Sequence, residues 1–189
     1  MSKKLSEMSL EELWELFPIY LTEQNEKWDD YYTEAESTLT DALAQFRVRR
    51  VSHIGSTAIK GIWAKPIIDI LVELEPGEDM DTVSDAIIAV GFIRMSTSEG
   101  RASFNRGYTD DGFAEKVYHL HLRYAGDNDE LYFRDYMNSH PEAAKEYERL
   151  KLETWKKFEH DRDGYTAAKT GLVRKYTVEA KMLYAGRYA

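Results

Sequence analysis

The chain contains no cysteine, which excludes disulfides and thiolate zinc centres and suits a reducing, cytoplasmic setting. It also lacks any run near the roughly 18 consecutive apolar residues of a membrane-spanning helix. The opening MSKKLSEMSLEEL carries lysines but no apolar stretch, so it does not read as a secretory signal. Positive charge is in short supply: 25 Lys and Arg face 34 Asp and Glu, for a formal net charge of −9. That balance argues against broad nucleic-acid binding, where a basic surface supplies the affinity. It leaves room for a local basic pocket around a phosphorylated small molecule. No GxxxxGK[ST] or GxGxxG motif occurs, and Gly55-Ser56 lacks the G-x-S-x-G frame of a hydrolase nucleophile elbow.

The 189 residues, 43% hydrophobic and 31% charged, suit one globular domain over residues 1–189. Helices and a sheet core are expected over about 19–125, and a helical segment over 126–189. Ser9 and Glu12 form a capping box for a short helix that ends before Pro18. An amphipathic helix is predicted from Asn25 to about Gln45, its aromatic stripe (Trp28, Tyr31, Tyr32) being core packing. Strands are predicted at Phe46–Ile54 and Ile67–Leu74. A helix capped by Asp81 follows over Thr82–Val90, with Gly91 stopping it. Phe92–Met95 reads as a short strand, Ser96–Gly100 as a loop, and Ala102–Tyr108 as another strand. Asp110-Asp111-Gly112 reads as a hairpin turn into Lys116–Tyr124. Three helices complete the chain: one capped by Asp127 or Asp129 and reaching Ser139, then Pro141–Phe158, then Tyr165–Tyr184. The sum is an α/β (α+β) architecture, a mixed β-sheet flanked by helices.

Within the apolar strand Ile67–Leu74, Asp69 stands out, because a buried carboxylate is costly unless paired, hydrogen-bonded or metal-bound. Strand alternation places Asp69, Leu71 and Glu73 on one face and, on the later strand, His119 and His121 on one face. With His53, these imidazoles and the carboxylate make a donor set suited to Mn²⁺, Fe²⁺ or Zn²⁺, and carboxylate alone suits Mg²⁺. Equally, His119 and His121 read as satisfied sheet residues. The turn Gly55-Ser56-Thr57 offers a close backbone approach, N–H groups and hydroxyls to phosphate oxygens. Lys65, Arg106 and Lys169 are the candidate phosphate contacts, with Arg106 and Lys169 preferred. Arg123 and Arg174 are further basic groups near the same elements.

The run His53-Ile54-Gly55-Ser56-Thr57, then Gly61, then Ala64-Lys65-Pro66-Ile67-Ile68-Asp69-Ile70 resembles the signature of the GrpB family. So do His119-Leu120-His121, Phe133-Arg134-Asp135-Tyr136, His140-Pro141, Tyr147, Leu150-Lys151, Tyr165 and Lys169. The similarity runs over about residues 19–184. It implies a nucleotidyltransferase-like fold, in which a Gly-Ser turn meets a triphosphate and strand carboxylates hold Mg²⁺. Some family members are similar to a domain fused to dephospho-CoA kinase, which implies a link to nucleotide or cofactor metabolism. Polymerase-type members of the superfamily carry two acids separated by one residue and a third on a neighbouring strand. Here Leu71 occupies the second position, and His119 and His121 stand on the strand of the third.

The resulting expectation is metal-dependent transfer of a nucleotidyl group to a small-molecule acceptor. Ser56 would hold phosphate, and Asp69, His119, His121 and His53 would bind Mg²⁺, Mn²⁺ or Zn²⁺, with His119 and His121 also open to acid–base roles. A non-catalytic nucleotide- or metabolite-binding module is the alternative that Leu71 motivates. A mononuclear phosphohydrolase built on His53, Asp69, His119 and His121 is the third. A nucleotide or other phosphorylated small molecule is the expected partner in each case, with no membrane and no broad nucleic-acid contact.

Overall fold

A computed structural model describes residues 3–189. Helices α1 (Leu10–Leu16) and α2 (Lys27–Ala42) precede strands β1 (Val48–Ile54) and β2 (Ile68–Leu74). Helix α3 (Met80–Ala89) and strands β3 (Ile93–Ser98), β4 (Arg101–Thr109) and β5 (Gly112–Tyr124) follow. Helices α4 (Asp129–Ser139), α5 (Pro141–Trp155) and α6 (Arg162–Leu183) close the chain. The strands form one mixed sheet in the order β1-β2-β5-β4-β3. Only β2 and β5 run parallel; the other neighbours are antiparallel. The expected mixed sheet with flanking helices is therefore found.

Period-2 alternation divides β2 between two environments. Ile68, Ile70, Val72 and Leu74 join Phe104, Tyr118, Leu120 and Leu122 in the main core, with Trp28, Ala35 and Leu39 of α2 and Val83 and Ile87 of α3 packed over them. On the other face Leu71 packs with Ile54 and Leu131. Parallel register sets Asp69 beside His119 and Leu71 beside His121, so the face-sharing read from alternation holds in three dimensions.

Several boundaries differ from the sequence expectation, each for a local reason. Asp79, not Asp81, caps α3: its carboxylate accepts from the Thr82 N–H at 3.2 Å, while Asp81 pairs with Arg94 at 3.0 Å. Ser96–Ser98 belong to β3 instead of a loop, tied to β4 by a Ser96–Ser103 hydroxyl bond of 2.6 Å. An edge strand tolerates this polar sequence because one of its sides faces water. Neither Asp127 nor Asp129 caps α4; Asn128 holds that position without a side-chain cap bond. Asp127 is engaged by Arg101 and Arg123. α6 begins at Arg162 because Asp161 accepts from the Gly164 N–H at 2.8 Å, and α5 ends at Trp155 instead of Phe158.

Glu73 is the polar exception beneath α4. Its side chain is fully buried, and Arg50 Nε lies 2.7 Å from Oε2. Oε1 accepts from Asn128 Nδ2 at 2.8 Å and from the Gly126 N–H at 3.3 Å. Removing one partner of such a pair strands a buried charge. Arg50→Met is predicted to destabilise the fold by about 3 kcal/mol in urea unfolding, and a loss below about 0.5 kcal/mol would contradict this account of Glu73.

Candidate functional site

β1 ends where β2 presents its carboxylate: Ile54 pairs with Asp69, and the chain then turns at Gly55 with φ +72°. A side chain at Gly55 would place its Cβ 2.8 Å from Asp69 Cγ. Glycine is thus required twice, for the positive φ and for the close approach. Ser56 follows, its Oγ 3.3 Å from the Tyr147 hydroxyl of α5. The twelve residues separating Ser56 from Asp69 in sequence collapse to neighbouring walls of one cleft.

That cleft has a volume of about 890 Å³ and is lined by Gly55, Ser56, Asp69 and Tyr147 on one side and by Lys169 and neighbouring residues of α6 on the other. Asp69 Oδ1 lies 3.4 Å from His119 Nδ1 and 3.9 Å from His121 Nε2. Burial pushes the Asp69 carboxyl up, but His119 and then His121 outweigh it and hold the carboxyl well below the usual range. An ionised carboxylate only accepts, so it places the His119 proton on Nδ1 and leaves Nε2 to accept from the Tyr108 hydroxyl at 2.7 Å. Arg162 Nη2 approaches the same hydroxyl at 3.5 Å. The result is a connected polar row from Asp69 through His119 to Tyr108. Sequence reading missed Tyr108 and Arg162, because only the β4–β5 register and the α6 N-terminus bring them to the site.

The expected site residues divide into two groups. Gly55, Ser56, Asp69 and Lys169 line the cleft, and His119 and His121 flank Asp69. Lys65 lies within the electrostatic reach of Arg162, Asp69 and Lys169. Thr57 does not face the cleft: it is buried, with its hydroxyl bonded to His53 Nε2 at 2.9 Å and to the Ile67 carbonyl at 3.1 Å.

His53 and Arg106 need correction. His53 pairs with Ile70, which puts it on the sheet face opposite Asp69, stacked on Tyr32 of α2 with ring centroids 4.7 Å apart. It cannot join a ligand set with Asp69. Arg106 pairs with Tyr118 on that same opposite face and stacks its guanidinium over Phe92 and Tyr118 at 4.9 and 4.5 Å. It is a core cover, not a phosphate contact in this cleft.

The residues present do not fit the divalent-metal arrangement of a two-acid site. Leu71 fills the second-acid position and is buried against Ile54 and Leu131. Glu73 is turned away toward Arg50 and Asn128. His119 has both ring nitrogens engaged, and both imidazoles address one carboxylate oxygen. Among the described residues no group of three or more His, Cys, Asp or Glu is arranged to hold a metal ion.

Basic groups stand among and behind the acids of the cleft, which is also lined by Asp129, Glu130, Arg174 and Lys181. Burial brings Lys169 down to about 8 and, together with the charge of Arg162, Lys65 down to about 7. Lys151, behind Tyr147, falls to about 7 through burial and then the charge of Lys169.

A family model described as "GrpB protein" matches residues 18–179. The glutamate-rich protein GrpB of Alkalihalophilus pseudofirmus is 35% identical over 161 residues, 82% of this chain and 91% of that one. The crystal structure of GrpB from Enterococcus faecalis superposes with a TM-score of 0.75 at 26% identity, covering 87% of this chain and 99% of that one. The Cid1 poly(U) polymerase bound to Mg 3′-dATP matches with a TM-score of 0.52 at 12% identity, over 84% of this chain and 51% of that one. This last likeness establishes a shared nucleotidyltransferase-like fold.

His53 yields a stability prediction. Burial lowers its pKa to about 4, against the opposing pull of Asp29, whereas an unfolded histidine titrates near about 6.5. The unfolded state therefore binds more protons between these values, and stability falls as pH drops from about 6.5 to about 4, by as much as roughly 3 kcal/mol. Urea midpoints measured across that range are predicted to flatten in His53→Gln. An unchanged acid limb in a folded variant would contradict the assignment.

Proposed function

We propose, from the premise that this chain belongs to the GrpB family, that it binds a nucleotide through its phosphates in the cleft between Asp69 and α6. The observation that carries this reading is the meeting of the Gly55-Ser56 turn with Lys169 across a cleft of about 890 Å³. Ser56 can donate its hydroxyl to a phosphate oxygen, and Lys169 supplies charge in a site partly shielded from water, where each contact is stronger than at the open surface. The longer, apolar part of the cleft, including Phe133 and Val173, suits a base or other flat group. Among the described residues no helix is long and apolar enough to cross a membrane; a cytoplasmic setting is part of this proposal.

A thermal-shift series tests this directly. A nucleoside triphosphate at 100 times its Kd is predicted to stabilise the protein by about 2.7 kcal/mol, with the unphosphorylated nucleoside far weaker. The Ser56→Ala/Lys169→Met double variant loses the shift. Affinity is also predicted to fall as pH rises through about 8, because a phosphate requires the Lys169 ammonium that burial has made easier to deprotonate. No shift with any phosphorylated nucleotide, in a folded protein, would end the proposal.

A second reading adds catalysis: transfer of a nucleotidyl group to a small-molecule acceptor, the activity expected from the sequence as metal-dependent. It is favoured by the Asp69–His119 pair at 3.4 Å beside the phosphate-facing turn. In this reading Asp69 holds His119 in one tautomer, the acceptor hydroxyl oxygen bonds to the α-phosphorus of a nucleoside triphosphate as the bond to the departing pyrophosphate breaks, and His121 accepts the hydroxyl proton. Incubation with α-labelled nucleotides and pooled metabolites, with Mg²⁺, Mn²⁺ or chelator, is predicted to give label transfer that Asp69→Asn reduces at least about tenfold. Transfer unaffected by that substitution would refute the catalytic assignment and leave the binding site as the function.

A further inference from the structure

Among the described residues, Lys169 in the cleft wall and Lys65, Arg162 and Lys151 beyond the lining are paired with no acid, whereas Asp129, which lines the cleft with Asp69 and Glu130, pairs with Lys181. These four have no carboxylate within ion-pair distance, although most other buried or half-buried basic groups do. Aromatic faces receive them instead. Lys169 Nζ lies 3.9 Å from the centre of the Tyr165 ring, Lys65 Nζ 5.6 Å from Phe113, Lys151 Nζ 4.7 Å from Tyr147, and the Arg162 guanidinium 5.5 Å from Tyr108. Lys151 is 1% exposed and donates to the Trp63 carbonyl. Arg162 Nε is buried without any hydrogen-bond partner. A ring face attracts a cation but supplies no formal counter-charge, so this arrangement remains electrostatically unfinished.

The same cleft lacks acids where a metal-using relative of the fold needs them. Leu71 fills the second-acid position, and Glu73 is committed to Arg50 and Asn128. A two-metal site brings excess positive charge through its ions and anchors them with carboxylates. Here the positive charge is already built into side chains, and a carboxylate cage is missing. Adding divalent ions beside these basic groups, none of which has an acid at ion-pair distance, would increase the repulsion, whereas adding a polyphosphate would relieve it and favour their charged forms.

Resting on the nucleotide-cleft reading, we infer that Lys169, Lys65 and Arg162, backed by the charge of Lys151, neutralise the ligand's phosphates in place of divalent metal ions. The ligand class is therefore a polyphosphate-bearing nucleotide bound free of metal. Lys169 makes the direct contact, since it lines the cleft opposite Ser56. The cost of holding desolvated ammonium groups in the empty protein is repaid when the phosphates arrive.

Isothermal titration of the full chain tests this with two probes, inorganic tripolyphosphate and the common ribonucleoside triphosphates, each in chelator and in excess Mg²⁺. The expected result is a nucleotide Kd in chelator within about threefold of that in Mg²⁺, or tighter, and detectable tripolyphosphate binding. Lys169→Met is expected to weaken binding at least about tenfold while leaving the thermal midpoint equal or higher, because an unpaired buried charge has been removed. Lys169→Arg, which keeps the charge, retains most of the affinity. Nucleotide binding that appears only with Mg²⁺ or Mn²⁺ would overturn this inference and leave the cleft's nucleotide role standing. Unchanged affinity in Lys169→Met would overturn it too. Absence of binding under both conditions would remove the nucleotide reading, and this inference with it.

Discussion

A carboxylate in the second strand of a sheet stays ionised only if its neighbours return the polar contacts that burial removes. For Asp69 those neighbours are His119 and His121, placed by the parallel pairing of β2 with β5. Much else follows from that pairing. The β1–β2 register brings the turn at Gly55 against the carboxylate, and the β4–β5 hairpin carries Tyr108 to the far side of His119. α5 and α6 then close the cleft through Tyr147 and Lys169. The site is a product of the sheet's register before it is a product of its loops.

Two carboxylates of β2 meet opposite fates on the same face. Asp69 looks into a cleft and keeps a quarter of its side-chain surface open, whereas Glu73 is sealed beneath α4 with a guanidinium and an amide for company. Leu71 between them extends the hydrophobic contact that separates the two. Glu73 is thereby used to fasten the sheet to the C-terminal helices, and Asp69 is the β2 acid that lines the cleft.

Much of the sheet was legible in the sequence because period-2 alternation is strong in β2 and β5, and the oddity of Asp69 among Ile67–Leu74 singled out a residue that lines the cleft. That His119 and His121 share a face could be anticipated, because side chains at two-residue spacing on one strand must do so; their placement beside Asp69 depends on the β2–β5 register. Faces of different strands could not be related the same way. The sequence pattern groups His53 with Asp69, yet antiparallel register opposes it to Ile70 and sends it to the α2 side. Register likewise puts Arg106 opposite Tyr118 on that face. Thr57 follows Ser56 in the turn, but its hydroxyl is consumed by His53 and Ile67. Tyr108 and Arg162 carried no local signal, since a tyrosine in a strand and an arginine at a helix start are ordinary until tertiary contact joins them.

The central claim is that phosphates belong between Ser56 and Lys169, beside Asp69. A structure of the protein with a non-hydrolysable nucleoside triphosphate tests it most directly. The account predicts phosphate density within hydrogen-bond reach of the Ser56 hydroxyl and the Lys169 ammonium, with the base toward Phe133 and Val173. Density for the nucleotide on the α2–α3 face of the sheet, or phosphates remote from both Ser56 and Lys169, would contradict it.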